Sequence, residues 1–348
     1  MNRSLENILV TGGAGFIGSN FIHFVFHKTE FNGRIINVDK LTYAGNLENL
    51  EDIDNKFGKN RYYFEKVDIC DYDKMKEIFQ KYDIDTVVNF AAESHVDRSI
   101  YGPKDFIQTN IVGTYNLLEV ARESWREKKK NRDVLFHHIS TDEVYGSIEA
   151  GQFYEDALYQ PNSLYAASKA SSEHLTRAYH HTYGLPVTTT NCSNNYGPHQ
   201  FPEKLIPLII MNILEENPLP VYGDGKNIRD WIYVEDHCSA IWQILNKGKT
   251  GETYNIGGDN EWENIKLVNV LCTKIAKIKG KDKDYYKRLI TFVKDRPGHD
   301  LRYAVNCDKI KRELGWRRKY DFEEGLDISI KWYMNNQSWL DRIRSGGI

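Results

Sequence analysis

TGGAGFIG, at residues 11–18 of the 348-residue sequence, follows an apolar, strand-like run and precedes a stretch of helical period. Glycine lets the backbone approach a pyrophosphate closely, and a helix that begins here offers free N–H groups at its positive end. The G-x-x-G-x-x-G spacing of Gly12, Gly15 and Gly18 is therefore typical of a phosphate-binding turn. Taken alone, the same pattern also fits a tight corner with no ligand.

A carboxylate at the end of the next apolar run favours the ligand interpretation. Asp39 follows the glycine turn by about 20 residues, the separation typical of dinucleotide sites. There it can accept hydrogen bonds from the adenosine ribose hydroxyls and would repel a 2′-phosphate, which favours NAD over NADP. Lys40 beside it would tolerate that extra phosphate.

Short apolar runs alternate with longer segments of helical period throughout the first half of the chain. The runs lie at residues 8–10, 35–38, 63–67, 86–90 and 134–139. This rhythm predicts an α/β fold with a doubly wound, Rossmann-type parallel sheet covered on both faces. After about residue 190, glycine and proline cluster, and we expect a smaller, mixed α/β C-terminal domain over residues 191–348. Residues 252–258 again look like a strand, so a segment near 230–260 is predicted to return to the sheet of domain 1–190.

Composition narrows the function classes. The chain has 46 Lys and Arg against 49 Asp and Glu, a net charge of −3, which argues against a nucleic-acid binder.

No run approaches the roughly 18 apolar residues of a membrane span, and the first residues leave no room for a leader, so a cytoplasmic location is expected. The five cysteines have no spacing suited to zinc or to a redox dithiol, and no metal is predicted. The basic stretch at 127–133 is predicted to be a solvated loop.

Two polar patterns indicate catalysis downstream of the dinucleotide site. Tyr165 and Lys169 are four residues apart in a helix predicted over 163–183, so they share one face. A nearby ammonium and a cationic nicotinamide would both favour the phenolate, which could then take a hydroxyl proton. The fifth strand ends in Thr141, Asp142 and Glu143. A surface Tyr–Lys pair and a solvated acidic turn are the alternatives that spacing alone leaves open.

Six long motifs in order carry a more specific resemblance. They are TGGAGFIGS at 11–19, DKLTYAGN at 39–46, AAESHVDRS at 91–99, STDEVYG at 140–146, NCSNNYGP at 191–198 and DRPGH at 295–299. With them the sequence resembles the extended short-chain dehydrogenases/reductases and, more narrowly, the dTDP-glucose 4,6-dehydratase family. Ala166 stands where that family usually has serine, and residues 147–156 are less typical, but neither departure removes a reactive group.

The resemblance implies a lyase reaction with a recycled, tightly held NAD. The hexose is oxidised at C4, water is eliminated across C5 and C6, and hydride returns to C6, which leaves a 4-keto-6-deoxy sugar. Glu143 would be the base at C5, and Asp142 would be the acid at the C6 hydroxyl. Two neighbouring carboxyls suit this chemistry because burying both as anions is unfavourable, which splits their pKa values. Thr141 would hydrogen-bond the C4 oxygen.

Residues at the carboxyl ends of the strands and in the later motifs complete the predicted site. The predicted cofactor contacts are Gly12, Gly15, Phe16, Ile17, Gly18, Asp39, Lys40, Leu41, Thr42, Asp68, Ile69, Phe90, Ala91, Ala92 and Ser94, with Tyr165, Lys169 and, by resemblance, Thr109 and Asn195. Arg229, Arg296 and His299 are candidates for the diphosphate, since guanidinium groups pair well with phosphate. Resemblance adds Ser94, Asn194, Lys204, Leu205, Pro220, Val221, Tyr222, Asn264 and Asp295 as substrate contacts, besides Thr141. Asp–Arg neighbours such as Arg229-Asp230 could instead be structural ion pairs.

Assembly and rival functions follow from the same motifs. The stretches 107–121 and 163–183 are predicted to be long helices, and relatives of this family pair two such helices across a two-fold axis, which predicts a homodimer. The apolar residues of those helices could equally be buried within one subunit. The first rival function is a nucleotide-sugar 4-epimerase, which has no use for paired carboxylates. The second is a catalytically silent, NAD-sensing binding module.

Overall fold

A seven-stranded parallel sheet forms the centre of the molecule. The computed structural model describes residues 3–126 and 132–344, so residues 127–131 of the basic stretch lie outside the described residues. The strands are β1 Asn7–Thr11, β2 Arg34–Val38, β3 Tyr62–Glu65, β4 Thr86–Asn89, β5 Leu135–Thr141, β6 Val187–Cys192 and, after three strands that lie elsewhere, β10 Thr253–Ile256. Their order across the sheet is β10-β6-β5-β4-β1-β2-β3. The predicted doubly wound α/β fold is confirmed.

Helices connect the strands of the large sheet and cover both of its faces, and further helices belong to the later part of the chain. They are α1 Phe16–Lys28, α2 Glu51–Phe57, α3 Tyr72–Tyr82, α4 Val96–Tyr101, α5 Pro103–Phe106, α6 Thr114–Trp125, α7 Leu164–Tyr183, α8 Leu205–Leu214, α9 Val234–Lys247, α10 Asn264–Ile278, α11 Asp308–Leu314, α12 Phe322–Asn335 and α13 Gln337–Arg344. In the described part of the chain, none of them is both long and apolar enough to cross a bilayer.

Alternating side chains of the strands feed two separate apolar cores. In β1, Leu9 packs with α3 and α6 on one face, while Ile8 and Val10 pack with α1 and α9 on the other. All three are fully buried. A strand buried on both faces reads as a continuous apolar run, which is why these strands are visible in the sequence.

One helical stretch differs from its prediction. The predicted helix over 107–121 begins as a π-helical segment, Ile107–Gly113, and becomes α-helical only in α6. Gly113 lies so close to Ile69 that a Cβ would approach the Ile69 Cδ1 to 2.5 Å. In the wider turn, Asn110 donates hydrogen bonds to the Glu93 carbonyl and the Ser168 hydroxyl. Such bulges are frequent at functional sites, and this one borders the cavity described below.

The later part of the chain builds two small sheets and a third apolar core. The remaining strands are β7 Asn194–Tyr196, β8 Leu219–Tyr222, β9 Ile228–Tyr233, β11 Glu261–Glu263 and β12 Ile290–Val293. β9 pairs parallel with β7 and antiparallel with β11, and β8 pairs parallel with β12. Helices α8, α10, α12 and α13 pack around their core. Between β9 and β11 the chain returns to the large sheet through β10, which pairs with β6.

Candidate active site

A cavity opens where the strand order of the large sheet reverses, between β1 and β4. The turn after β1 forms one wall of it, with Gly12, Gly15 and Gly18. Gly12 has φ +67°, and a Cβ there would lie 2.8 Å from the Ala91 backbone; a Cβ on Gly18 would lie 2.4 Å from the Gly12 carbonyl oxygen. The close packing of turn, helix and neighbouring strand therefore requires glycine at both positions.

The first turn of α1 points free N–H groups at this cavity. The helix begins at Phe16 without a side-chain cap. A Cβ on Gly15 would meet only the Gly12 carbonyl oxygen, at 3.3 Å, and open space otherwise. The turn is thus an uncapped cradle on the cavity wall, and a pyrophosphate fits it.

Asp39 is fixed at the end of β2 by the backbone. Its carboxylate accepts hydrogen bonds from the N–H groups of Ala14, at 3.1 Å, and Leu41, at 2.8 Å. Burial raises the pKa of Asp39, and those two hydrogen bonds oppose the rise. Lys40 lies 3.5 Å from Asp68 and donates to Thr109 at 3.3 Å, so its charge already has partners. This arrangement weakens the case for a 2′-phosphate.

Of the predicted cofactor contacts, all but one line this cavity. The exception is Leu41, whose backbone N–H holds Asp39 while its side chain is absent from the wall. A dinucleotide therefore fits the chain's own residues: a glycine cradle for the pyrophosphate, a carboxylate at the ribose position, and the strand ends for the rest.

Tyr165 and Lys169 reach the same cavity from the start of α7. The Ser163 hydroxyl caps this helix by accepting from the N–H of Ala166, which places Tyr165 in the first turn and Lys169 one turn later. The Lys169 ammonium donates to the Ile139 carbonyl at 2.6 Å, and burial lowers the pKa of Lys169 to about 8. Burial raises the pKa of Tyr165 well above its ordinary value, and the Glu143 carboxylate adds to that rise.

Asp142 and Glu143 lie directly after β5 on the cavity wall. The Thr141 hydroxyl accepts from the Glu143 N–H at 3.3 Å and thereby starts a single helical turn, Asp142–Tyr145. Asp142 is 2% exposed, and its Oδ2 lacks a hydrogen-bond partner among the described residues. Within the acidic turn, Asp142 is thus buried and Glu143 is partly buried, so the turn is not a fully solvated one.

The two carboxyls have different electrostatic surroundings. Burial raises the pKa of Asp142 well above its usual range, and the negative charges of Glu143 and Asp230 raise it further. Burial also raises the pKa of Glu143, but three cations counteract this rise: Arg296, Arg229 and Lys204. The surroundings therefore favour the neutral form more strongly at Asp142 than at Glu143.

The predicted substrate contacts fall into two groups. Ser94, Thr141, Asn194 and Lys204 line the cavity, and the Lys204 ammonium donates to the Ser94 carbonyl at 2.9 Å. The others do not line it; they are Leu205, Pro220, Val221, Tyr222, Arg229, Asn264, Asp295, Arg296 and His299. Lys204 thus joins the end of β4 to the start of α8 across the cavity mouth.

Several of the predicted substrate contacts that do not line the cavity lie near Asp97 of α4. The Tyr222 hydroxyl donates to Asp97 at 3.0 Å, and the Arg296 guanidinium lies 3.6 Å from the same carboxylate. His299 lies 2.6 Å from Asp295. The Arg296 Nε and the Asn264 Oδ1 are buried without a hydrogen-bond partner in the described part of the chain. Free polar groups of this kind suit a polar ligand that extends from the cavity.

Arg229 is neither in the cavity wall nor paired with its neighbour Asp230. It is 5% exposed and donates to the carbonyls of Ile228, Asp300 and Leu301. Its guanidinium also lies 4.3 Å from the ring centre of Tyr303. In this structure it acts on the carboxyl pair as a fixed positive charge, and its contact with a phosphate stays a prediction.

The cavity wall also contains residues that the sequence reasoning missed. They are Val38, Tyr43, Ala44, Gly45, Val67, Glu93, Ile139, Ser140, Cys192, Ser193, Gln200, Phe201 and Glu203. Most belong to motifs already quoted or to the strand ends beside them, so extending each motif by a few residues would have found them. Gln200, Phe201 and Glu203 gave no signal, because only the path of the chain into α8 brings them here.

Comparisons with known proteins agree on one family. A family model described as GDP-mannose 4,6 dehydratase matches residues 9–328. The dTDP-glucose 4,6-dehydratase of Shigella flexneri is 53% identical over 351 residues, which cover 97% of this chain and 96% of that protein.

Solved structures give the same result. The dTDP-glucose 4,6-dehydratase of Streptomyces venezuelae, crystallised with NAD bound, has a TM-score of 0.87 at 44% identity and covers 96% of this chain and 98% of its own. The enzyme of that name from Bacillus anthracis, in complex with NAD, has a TM-score of 0.85 at 46% identity, with 97% and 99% covered.

Proposed function

The chain belongs to the GDP-mannose 4,6 dehydratase family and groups within it with the dTDP-glucose 4,6-dehydratases, and we propose that it converts dTDP-glucose into the 4-keto-6-deoxy sugar nucleotide and water. The observation that carries the proposal is the carboxyl pair, with Asp142 buried and Glu143 partly buried, on the same cavity wall as Tyr165. An enzyme that only oxidises and re-reduces C4 needs one acid/base group, whereas loss of water needs an additional base and an additional acid.

NAD is the cofactor, held by the glycine turn, by Asp39 and by the strand ends. When bound, it supplies the oxidising power by accepting hydride from C4 and returning it to C6. Asp39 would accept hydrogen bonds from the adenosine ribose hydroxyls, and Lys169 lines the same cavity next to Tyr165 on α7.

Tyr165 takes the proton of the C4 hydroxyl. In the chain alone, burial and the Glu143 charge hold the pKa of Tyr165 high, so positive charge at the reacting end is needed to lower it. Lys169 contributes such a charge from one helical turn away. Thr141 positions the C4 oxygen through its hydroxyl.

Glu143 and Asp142 carry out the elimination. Once C4 is a ketone, the C5 proton is acidic; ionised Glu143 removes it, while neutral Asp142 protonates the C6 hydroxyl, which leaves as water. Glu143 then returns its proton to C5. Over one cycle Tyr165 gains one proton and Asp142 loses one, so the total number of protons on the chain is unchanged, and transfer of a proton from Tyr165 to Asp142, directly or through solvent, restores the starting state.

We also propose a division of labour between the two parts of the chain. Domain 1–190, with the return strand β10, holds NAD, and residues 191–348 hold the nucleotide sugar. Lys204, Arg296 and His299 supply the positive charge and hydrogen-bond donors that a diphosphate requires. Asn264 and Arg296, with their free polar atoms, serve the more distant part of the substrate.

Incubation of the pure protein with dTDP-glucose tests the proposal directly. The expected product is a keto sugar nucleotide lighter by one water, detected by mass spectrometry, with UDP-glucose and GDP-glucose as matched substrates that react more slowly. A C4 epimer formed without loss of water would select the epimerase. Unchanged sugar from protein that retains NAD would select the silent binding module.

We propose that the chain works as a homodimer through the helices next to the site. Tyr101, Ile107, Tyr115 and Leu164 are large apolar residues between 45% and 89% exposed, on or beside the π-helical segment, α6 and α7. Such a face is typical of a subunit interface. Light scattering after size exclusion is expected to give a dimer, which Tyr115→Glu converts to monomer. Leu158→Glu, at an exposed loop residue, is the control that leaves the dimer intact.

The cytoplasm is the location we propose. All five cysteines are free, and four of them are buried. Chains with unpaired thiols are typical of reducing compartments. Cell fractionation, with the protein expected beside cytoplasmic markers, tests this.

A further inference from the structure

Two histidines in the later turns of α1 face a carboxylate from α2. His23 and His27 are four residues apart, so they project from the same side of the helix. The His23 Nδ1 lies 3.6 Å from the Asp52 Oδ2. One donor atom from each of the three side chains lies within 4.8 Å of the other two. This group lies outside the cavity described above.

His23 is oriented in the way a metal ligand requires. Its Nε2 lies 2.7 Å from the Asn49 carbonyl oxygen, and since a carbonyl can only accept, Nε2 carries the proton. In the neutral imidazole, Nδ1 then presents a lone pair toward Asp52. Histidines that bind metals almost always donate their other N–H to a carbonyl or carboxylate in this manner, which fixes the tautomer.

The separations between the three donor atoms are close to those between the ligands of a bound metal ion. Ligand atoms around a tetrahedral zinc lie roughly 3.4 Å apart, as follows from metal–ligand bonds of about 2.1 Å. His27 and Asp52 are exposed, so rotation of their side chains can close the remaining gap. Two imidazoles and one carboxylate are ligands that Zn²⁺ and neighbouring divalent transition metals prefer.

We infer that His23, His27 and Asp52 form a binding site for a divalent transition-metal ion of the zinc type, with water completing the coordination. The site joins α1 to the start of α2. It also connects to the cofactor side, because Asn49, which orients His23, donates its side-chain amide to the Ala14 carbonyl in the glycine turn. A bound ion would therefore brace the helix that carries that turn.

The sequence reasoning predicted no metal, and the reason is topological. The ligands come from two helices that are separated by a strand and a long loop, and none is a cysteine. Only folding brings residue 52 beside residues 23 and 27.

Isothermal titration calorimetry with Zn²⁺ tests the inference on the full chain, without a polyhistidine tag and after removal of metals with a chelator. One saturable equivalent is expected. His27→Ala and Asp52→Asn should each weaken zinc binding at least about tenfold, since even outer partners of ligands change affinity by that factor. His181→Ala, which removes another exposed histidine beside a neighbouring one, should leave the affinity unchanged.

Thermal unfolding provides a second readout. Zinc should raise the Tm of the parent protein and of His181→Ala, but not that of His27→Ala, because binding to the folded chain alone stabilises it. The absence of a saturable equivalent would overturn the inference. So would equal zinc affinity in His27→Ala, Asp52→Asn and the parent protein.

Discussion

Asp142 and Glu143 are adjacent in the chain and yet differ in their electrostatic surroundings. Burial raises the pKa of both carboxyls, but the charges of Glu143 and Asp230 raise the pKa of Asp142 further, whereas Arg296, Arg229 and Lys204 lower that of Glu143. This difference supports the proposed roles, with Asp142 as the acid and Glu143 as the base. The resemblance implied those roles, and the surroundings of each side chain now give them a physical reason.

Substitutions of the two carboxyls should block different steps of the reaction. Asp142→Asn is expected to keep the exchange of the C5 hydrogen with solvent while water loss falls about 10²-fold or more, because only the acid is missing. Glu143→Gln should abolish C5 exchange. Incubation in D₂O, followed by NMR of the recovered sugar, measures both, and Glu149→Gln at an exposed carboxyl is the control. Equal C5 exchange in the two variants would contradict the assignment.

Tyr165 is the group whose loss should stop the first step. Tyr165→Phe removes the hydroxyl but keeps the ring, so we expect kcat to fall about 10²–10⁴-fold while NAD remains bound. Stopped-flow kinetics and the NAD content of the purified protein measure the two effects. Tyr154→Phe, at a tyrosine 55% exposed outside the cavity, should behave like the parent. Loss of NAD from Tyr165→Phe would assign the residue to binding instead.

At the scale of elements, the turn between β1 and α1 leaves no room for an added side chain at Gly18. Gly18→Ala would drive a Cβ into the Gly12 carbonyl oxygen at 2.4 Å. We expect this variant to lose NAD and about 1–3 kcal/mol of unfolding free energy through overpacking. Urea unfolding and cofactor content check the prediction.

Gly102→Ala is the matched control for the turn. An added Cβ there meets its nearest atom at 3.7 Å, an ordinary contact, and φ is negative. It should retain both stability and NAD. A Gly18→Ala variant as stable as Gly102→Ala would show that the turn can shift.

Elements differed in how well the sequence predicted them. The strands of the large sheet were predictable because burial on both faces leaves an apolar run in the sequence, as in β1. The helix predicted over residues 163–183 corresponds to α7, and the structure shows Ser163 as its cap. The π-helical segment was not, because it depends on the approach of Gly113 to Ile69, a contact between distant parts of the chain.

At the scale of the molecule, the site joins segments that only topology brings together. The glycine turn, the carboxyl pair and the Tyr–Lys pair were predictable, because parallel strands end at one edge of a sheet. The contact of Lys204 with the Ser94 carbonyl was not, since it spans 110 residues and two separate cores. The same holds for Arg229, whose backbone partners no local pattern indicates.

Stability should decrease on acidification because of histidines buried in the sheet. Burial lowers the pKa of His137 from 6.5 to about 3. Between these values the unfolded chain binds a proton that the folded chain does not, so falling pH favours unfolding. In His137→Gln the unfolded chain can no longer bind this proton, so this contribution to the pH dependence is lost. From pH 6 to pH 4, urea unfolding of the parent should then lose about 1.4 kcal/mol per pH unit more than the variant. Equal slopes would contradict a neutral, buried His137.

The return of the chain through β10 to pair with β6 has a consequence for engineering. The later region is an insertion between two neighbouring strands, followed by a tail, and is not a module joined at one end. A chimera that exchanged everything after residue 190 would import a foreign border strand into the host sheet. Grafts of new sugar specificity should therefore be made at two junctions, with β10 kept from the recipient.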